Sequence, residues 1–212
     1  CTGFVTGLIT ASSMMDTLNI DYAVVIAGEA LTKIANWSDR STCVLFGDGA
    51  GAVVLKKGDE QKMHYPVLTG TRDYDNVLIC KKEDRKTPFG GVDNPPLEYI
   101  KMDGREVFTY AVGAVEDVLR RMQKSCGDKP YTKVIAHQAN EKILDYVVRS
   151  IGMDKDQFFI NISEYGNTSS ATIPIAMCDA LEQGWLQKGD RVALVGFGSG
   201  LSCGGIVIDW TL

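Results

Sequence analysis

The chain has 212 residues, 45% of them hydrophobic and 23% charged, a globular composition with ample material for a core. It contains no apolar run long enough to span a bilayer and no basic-then-apolar leader, so neither a membrane span nor a signal peptide is expected. The net charge of −5 argues against a general nucleic-acid partner. Cysteines at 1, 43, 80, 126, 178 and 203 form no CxxC pair and have no histidine at zinc-ligand spacing. No metal site is expected, and free thiols in a chain of this size point to a reducing, cytoplasmic compartment.

Taken in order, residues 1–19 place Phe4, Leu8, Ala11, Met14, Met15 and Leu18 at helical spacing. Cys1 then stands at the helix start, where free N–H groups and the dipole favour a thiolate. The plainer alternative is a first residue without a role. Residues 21–27 are continuously apolar and predict a strand buried on both faces. Phe46 to Gly51 is expected to be a glycine-rich turn leading into a strand over 52–55. It lacks the lysine and hydroxyl of a phosphate loop and the helix of a dinucleotide fingerprint, so tight packing is the expected reason for its glycines. The charged run 56–62 is the expected boundary between two halves. A strand follows over 63–71, with His64 expected to be a surface or strand-end residue without a role. Residues 72–96 carry Pro88, Pro95 and Pro96 and are long enough to suggest a functional loop.

An apolar stripe from Val107 to Met122 predicts a helix over 104–124. Tyr131 to Ala136 is a buried strand, His137 stands at its end, and a helix follows from Glu141. The ends of strands preceding helices are where open α/β sheets place their chemistry. The segment Tyr165-Gly-Asn-Thr-Ser-Ser170 opens a helix running to about Glu182, with Thr168, Ser169 and Ser170 able to cap its first turn. Strands over 192–195 and 205–209 close the chain, the first ending in a glycine-rich turn, Gly196-Phe-Gly-Ser-Gly200. Alternating strands and helices give a layered α/β fold. Histidine, asparagine and exposed backbone amides thus come from separate loop turns, which is the pattern of a site.

Cys1-Thr-Gly-Phe4, Phe46-Gly-Asp-Gly-Ala-Gly-Ala52, His137-Gln-Ala-Asn140, Tyr165-Gly-Asn-Thr-Ser-Ser170 and Gly196-Phe-Gly-Ser-Gly200 together resemble the β-ketoacyl-[acyl carrier protein] synthase III family of the thiolase-like superfamily, in that family's order. The resemblance spans the whole chain; the family's long segment before the cysteine has no counterpart here. It implies a five-layered α-β-α-β-α architecture. Residues 1–57 correspond to the tail of the first thiolase-like half and 58–212 to the complete second half.

The resemblance also implies the chemistry. Cys1 would take an acyl group from acyl-coenzyme A, a substrate rather than a cofactor, and none of the usual cofactors is expected. Malonyl-acyl carrier protein would then lose carbon dioxide and condense with the acyl group. His137 and Asn167 would donate hydrogen bonds to the thioester oxygen, and Phe197 would supply an apolar wall. Backbone amides of Cys1 and the Gly198-Ser199 turn would form the oxyanion hole. Asn140 is expected at the substrate, and Lys142 at the carrier-docking surface in place of the family's usual arginine, with Glu141 beside it. Residues 72–96 would border the acyl pocket and a homodimer contact. With an amine at Cys1 and no first half, the chain alone is expected to be inactive. The alternatives are a polyketide- or chalcone-synthase-like enzyme using coenzyme A thioesters throughout, an amidohydrolase with an N-terminal cysteine nucleophile, and a non-catalytic scaffold.

Overall fold

A computed structural model describes residues 1–80 and 99–212. The central element is a sheet of order β3-β8-β7-β6, formed by β3 (Met63–Gly70), β6 (Lys133–Ala136), β7 (Arg191–Gly198) and β8 (Ser202–Asp209). β6 runs parallel to β7, while β7–β8 and β8–β3 are antiparallel. Successive side chains on a strand point to opposite faces, and here both faces are dry. Val134, Ala136, Ala193 and Val195 pack against α2 (Gly104–Cys126) and α3 (Glu141–Ile151). Ile135, Val192 and Leu194 pack on the other face against α1 (Gly3–Leu18) and α5 (Thr172–Glu182).

The second sheet pairs β1 (Tyr22–Ala30) with β2 (Asp48–Lys56), antiparallel over the full length of both strands. Val25 and Ala27 of its inner face join the core around α1 and α5. The order of layers is therefore helix, sheet, helix, sheet. The described residues supply no outer helix layer over β1 and β2, where Ile26 is 71% and Val54 68% exposed. A two-stranded ribbon of β4 (Leu78–Ile79) and β5 (Lys101–Met102), with the short helix α4 (Ile162–Tyr165), completes the fold.

Several local expectations are corrected. The 21–27 strand is buried on one face only, because among the described residues no helix lies on its other side. The glycine-rich segment after Phe46 is mostly strand: from Asp48 on it pairs with β1, and its glycines admit the helix above it. A Cβ at Gly51 would lie 2.8 Å from Pro174, so α5 rests directly on the backbone there. In the same way Gly196 to Gly198 continue β7, and only the remainder of that motif turns. His64 is not idle; its Nε2 pairs at 3.0 Å with Asp209, which Arg191 also holds at 2.6 Å. Pro88, Pro95 and Pro96 lie outside the described residues.

Candidate active site

Three segments meet on β7. The loop before α1 lies flat on the strand because β7 presents glycines on that side. A Cβ at Gly198 would stand 3.0 Å from the Cys1 nitrogen and 3.4 Å from its Sγ. Thr2 makes no side-chain cap to α1 and meets Ser202 Oγ at 3.1 Å instead. Cys1 is half-buried at the mouth of that uncapped helix. Burial lowers its α-amino group below the usual range, and the carboxylate of Glu29 partly opposes the shift. Glu29 also accepts from the amide and hydroxyl of Ser170, tying β1 to the start of α5 beside the cysteine.

His137 leaves the end of β6 with its amide donating to Val195 O at 2.7 Å. Its ring is 1% exposed and meets Phe197 edge-on at 5.0 Å between centroids. Burial pulls its pKa down to about 3, with the nearby Cys1 ammonium a second cause, so the ring is neutral. Nδ1 lies 2.7 Å from Thr172 Oγ1.

Asn167 is held by a backbone clamp. Its amide donates to Leu45 O at 2.9 Å, and its carbonyl accepts from Gly47 N at 3.0 Å. Gly47 must be glycine, since a Cβ there would reach within 2.7 Å of Tyr165 O. The Asn167 Oδ1 accepts from the Ser169 amide at 2.9 Å, which leaves the amide nitrogen of the side chain as the group to donate. Ser169 takes the left-handed conformation, φ +54°, to deliver that amide; for a residue other than glycine this costs about 1–2 kcal/mol. The expected caps from Thr168, Ser169 and Ser170 are not made. Ser170 turns to Glu29, Thr168 Oγ1 is buried without a partner, and a 3-10 turn over Ser169–Ala171 replaces the cap.

Cys1, His137, Asn167, Phe197, Gly198, Ser199 and Asn140 all line one cavity of about 390 Å³. Its remaining wall is mainly apolar, including Leu45, Phe46, Ile100, Met102, Phe108 and Ile143. The structure thus brings together every expected site residue except Lys142. That lysine is exposed on the first turn of α3 outside the cavity, because only the inward face of the turn lines it. Glu141 beside it is engaged at 3.5 Å by Lys155. Asn140 spends its Oδ1 on capping α3 through the Lys142 amide at 2.9 Å. Ser199 directs its hydroxyl to Leu78 O at 2.9 Å, anchoring the β4 wall of the cavity. Sequence reasoning singled out neither Thr172 nor Glu29; both act through long-range contacts, and no local pattern marks them. Leu78, Ile79 and Cys80 of the 72–96 segment do line the cavity.

Comparison with known proteins gives consistent matches. The family model described as 3-oxoacyl-[acyl-carrier-protein (ACP)] synthase III matches residues 1–72, and the model of that enzyme's C-terminal part matches residues 125–210. The β-ketoacyl-[acyl-carrier-protein] synthase III of Clostridium acetobutylicum is 39% identical over 215 residues, covering 100% of this chain and 66% of the relative. That of Clostridium beijerinckii is 37% identical, with 99% and 66% covered. The chain therefore spans just under two thirds of the length of these relatives. Among solved structures, the synthase III of Thermus thermophilus superposes with a TM-score of 0.88 at 32% identity, covering 99% of this chain and 65% of that one. The priming β-ketosynthase of the R1128 polyketide pathway also gives 0.88, at 28% identity, covering 100% and 64%.

Proposed function

The chain belongs to the β-ketoacyl-[acyl carrier protein] synthase III family and shares its thiolase-like α/β fold, and from that premise we propose that Cys1, His137 and Asn167 carry an acyl transfer followed by a decarboxylative condensation. The observation that carries this reading is their convergence on one largely apolar cavity. Cys1 Sγ attacks the carbonyl of an acyl-coenzyme A, the coenzyme thiol leaves with the cysteine proton, and an acyl-cysteine thioester remains. A malonyl thioester on acyl carrier protein then loses carbon dioxide. Negative charge grows on its thioester oxygen, which faces Asn167 and His137. Asparagine suits this task because it donates without carrying charge. The resulting carbon nucleophile attacks the acyl-cysteine carbonyl, Cys1 is released, one proton is taken up, and a 3-oxoacyl thioester results. Phe197 and the apolar wall disfavour the ionised malonyl carboxylate and so favour its loss.

The amides beside Cys1 and in the Gly198-Ser199 turn are the oxyanion donors in this reading. Lys142, free of Glu141, lies on the docking surface for the acidic carrier. Residues 1–57 act as the tail of one half and 58–212 as the other half, and the complete enzyme is a homodimer. The bare outer face of β1 and β2 is the seat of the third of the relatives that this chain does not span. Without that third, this stretch of chain by itself does not turn over in this reading.

The test is the mass of the protein after incubation with acetyl-coenzyme A, beside a version joined to the remaining third of a relative. An acetyl adduct on the joined protein only, abolished by Cys1→Ala, supports both the nucleophile and the incomplete site. Acylation of the bare chain at Cys1 overturns the second point, and absence of any adduct overturns the assignment. The fit to the R1128 priming ketosynthase keeps a polyketide-type donor as a second reading. Malonyl-coenzyme A replacing malonyl-carrier protein without loss of rate would establish that reading instead.

A further inference from the structure

We propose that Gln138 is a positioning residue whose side-chain amide parts the chain after Phe158 from β6 and so sets where Asn167 stands in the cavity. The inference rests on reading Asn167 as a donor in the proposed reaction. Phe158 forms a parallel bridge with Val134, and the Phe159 amide donates to Val134 O at 3.1 Å. Parallel rungs are evenly spaced, so the next in register would run from the Asn161 amide to Ala136 O. The side chain of Gln138 stands between those two groups. Its Oε1 accepts from the Asn161 amide at 3.2 Å, and its Nε2 donates to Ala136 O at 2.7 Å. The second Nε2 proton goes to Phe159 O at 3.2 Å. Two carbonyls at one end and an N–H at the other fix the orientation of the side chain. Gln138 thus takes the place of one peptide group in the ladder, and at 1% exposure it satisfies three backbone groups out of reach of solvent.

A short path hands this displacement on to Asn167. Asn161 precedes α4 and donates from Nδ2 to Asp179 Oδ2 at 2.9 Å. Tyr165, the last residue of α4, donates from its hydroxyl to Asp179 Oδ1 at 3.2 Å. One carboxylate of α5 therefore holds both ends of α4. Gly166 turns the chain with φ +68°, and Asn167 follows. Backbone bonds to Leu45 O and from the Gly47 amide hold Asn167 from the other side. Gln138 follows His137 directly but does not line the cavity, so one strand end sends one side chain to the site and the next to its support. Without the glutamine, three buried backbone groups lose their partner, and the segment is free to close onto β6 and draw Asn167 out of place.

Amide hydrogen exchange on this chain tests the proposal without any substrate. The Asn167 and Gly47 amides, which make the clamp, are the reporters, and the amides of β8 paired with β7 are the reference. Gln138→Met keeps the bulk and removes all three hydrogen bonds. It should speed exchange of the reporters about tenfold relative to the reference, an opening of the clamp alone. Asp179→Ala, at a partly exposed position of α5, should do the same and decides the matter if the methionine variant does not fold. Reporters that keep pace with the reference in folded Gln138→Met or in Asp179→Ala overturn the proposal. In a protein completed with the missing third, Asp179→Ala should slow condensation while acylation of Cys1 is retained, a split that a general loss of stability would not produce. Condensation at the parent rate in that variant overturns the positioning role. A completed parent that does not condense at all counts against the assigned reaction instead, and the exchange comparison still decides the role of Gln138.

Discussion

His137 carries a stability signature that can be checked without any substrate. Its ordinary value is about 6.5, and burial holds the native ring at about 3. Between those values the unfolded chain binds a proton that the native chain refuses. The contribution is therefore complete above about pH 6.5 and is lost progressively as pH falls towards 3. Urea midpoints measured in steps from pH 7 to 4 should fall more steeply for the parent than for His137→Gln, and identical slopes would refute the buried neutral ring. Asn167 answers to a different measurement. On the proposed reaction, Asn167→Ala in a protein completed with the missing third should cut kcat about 10²–10³-fold, the typical cost of one lost oxyanion donor, with little change in the affinity for acyl-coenzyme A. Both residues were legible in the sequence because each sits at a strand end or loop-to-helix turn. Their partners were not: Thr172 is 35 positions from His137, and Glu29 is 141 from Ser170.

At the scale of elements, α2 offers the cleanest tests. Its N-cap Asp103 accepts from the amides of Arg105 and Glu106 at 3.0 and 3.1 Å. Asp103→Ala should cost about 1 kcal/mol, read as a lower midpoint in chemical denaturation. The helix also lies hard against β8: a Cβ at Gly205 would come within 2.6 Å of Val118 and 2.8 Å of the Met122 methyl. Gly205→Val overpacks that contact and should destabilise by about 1–3 kcal/mol, whereas the same change at Gly113, with nothing within 4 Å, should cost mainly helix propensity. The stripe from Val107 to Met122 made this helix readable from periodicity alone. The strand nature of Asp48 to Gly51 was hidden for the opposite reason, since glycine carries no face pattern and its role depends on the helix packed above.

For the whole molecule, the exposed row on β1 and β2 is the feature expected to govern association in solution. Tyr22, Val24, Ile26 and Val54 form an apolar face of the kind that drives association. The isolated chain should sediment as concentration-dependent oligomers, and Ile26→Lys with Val54→Lys should return it towards a monomer without lowering its thermal midpoint. A fall in stability of several degrees would mean that this face packs within the chain.

Amino-acid order by itself determined the alternation of strands and helices and the apolar stripes, because periodicity and turn chemistry are local properties, while the candidates Cys1, His137 and Asn167 were singled out by the resemblance of five motifs to a known family. Tertiary structure decided which strands keep a wet face, which glycines serve close approach, and that Lys142 stands outside the cavity. It also set the direction of the hydrogen bond from the Ser169 amide to Asn167 Oδ1. The packing depends on distant parts of the chain, and no window of sequence contains both partners.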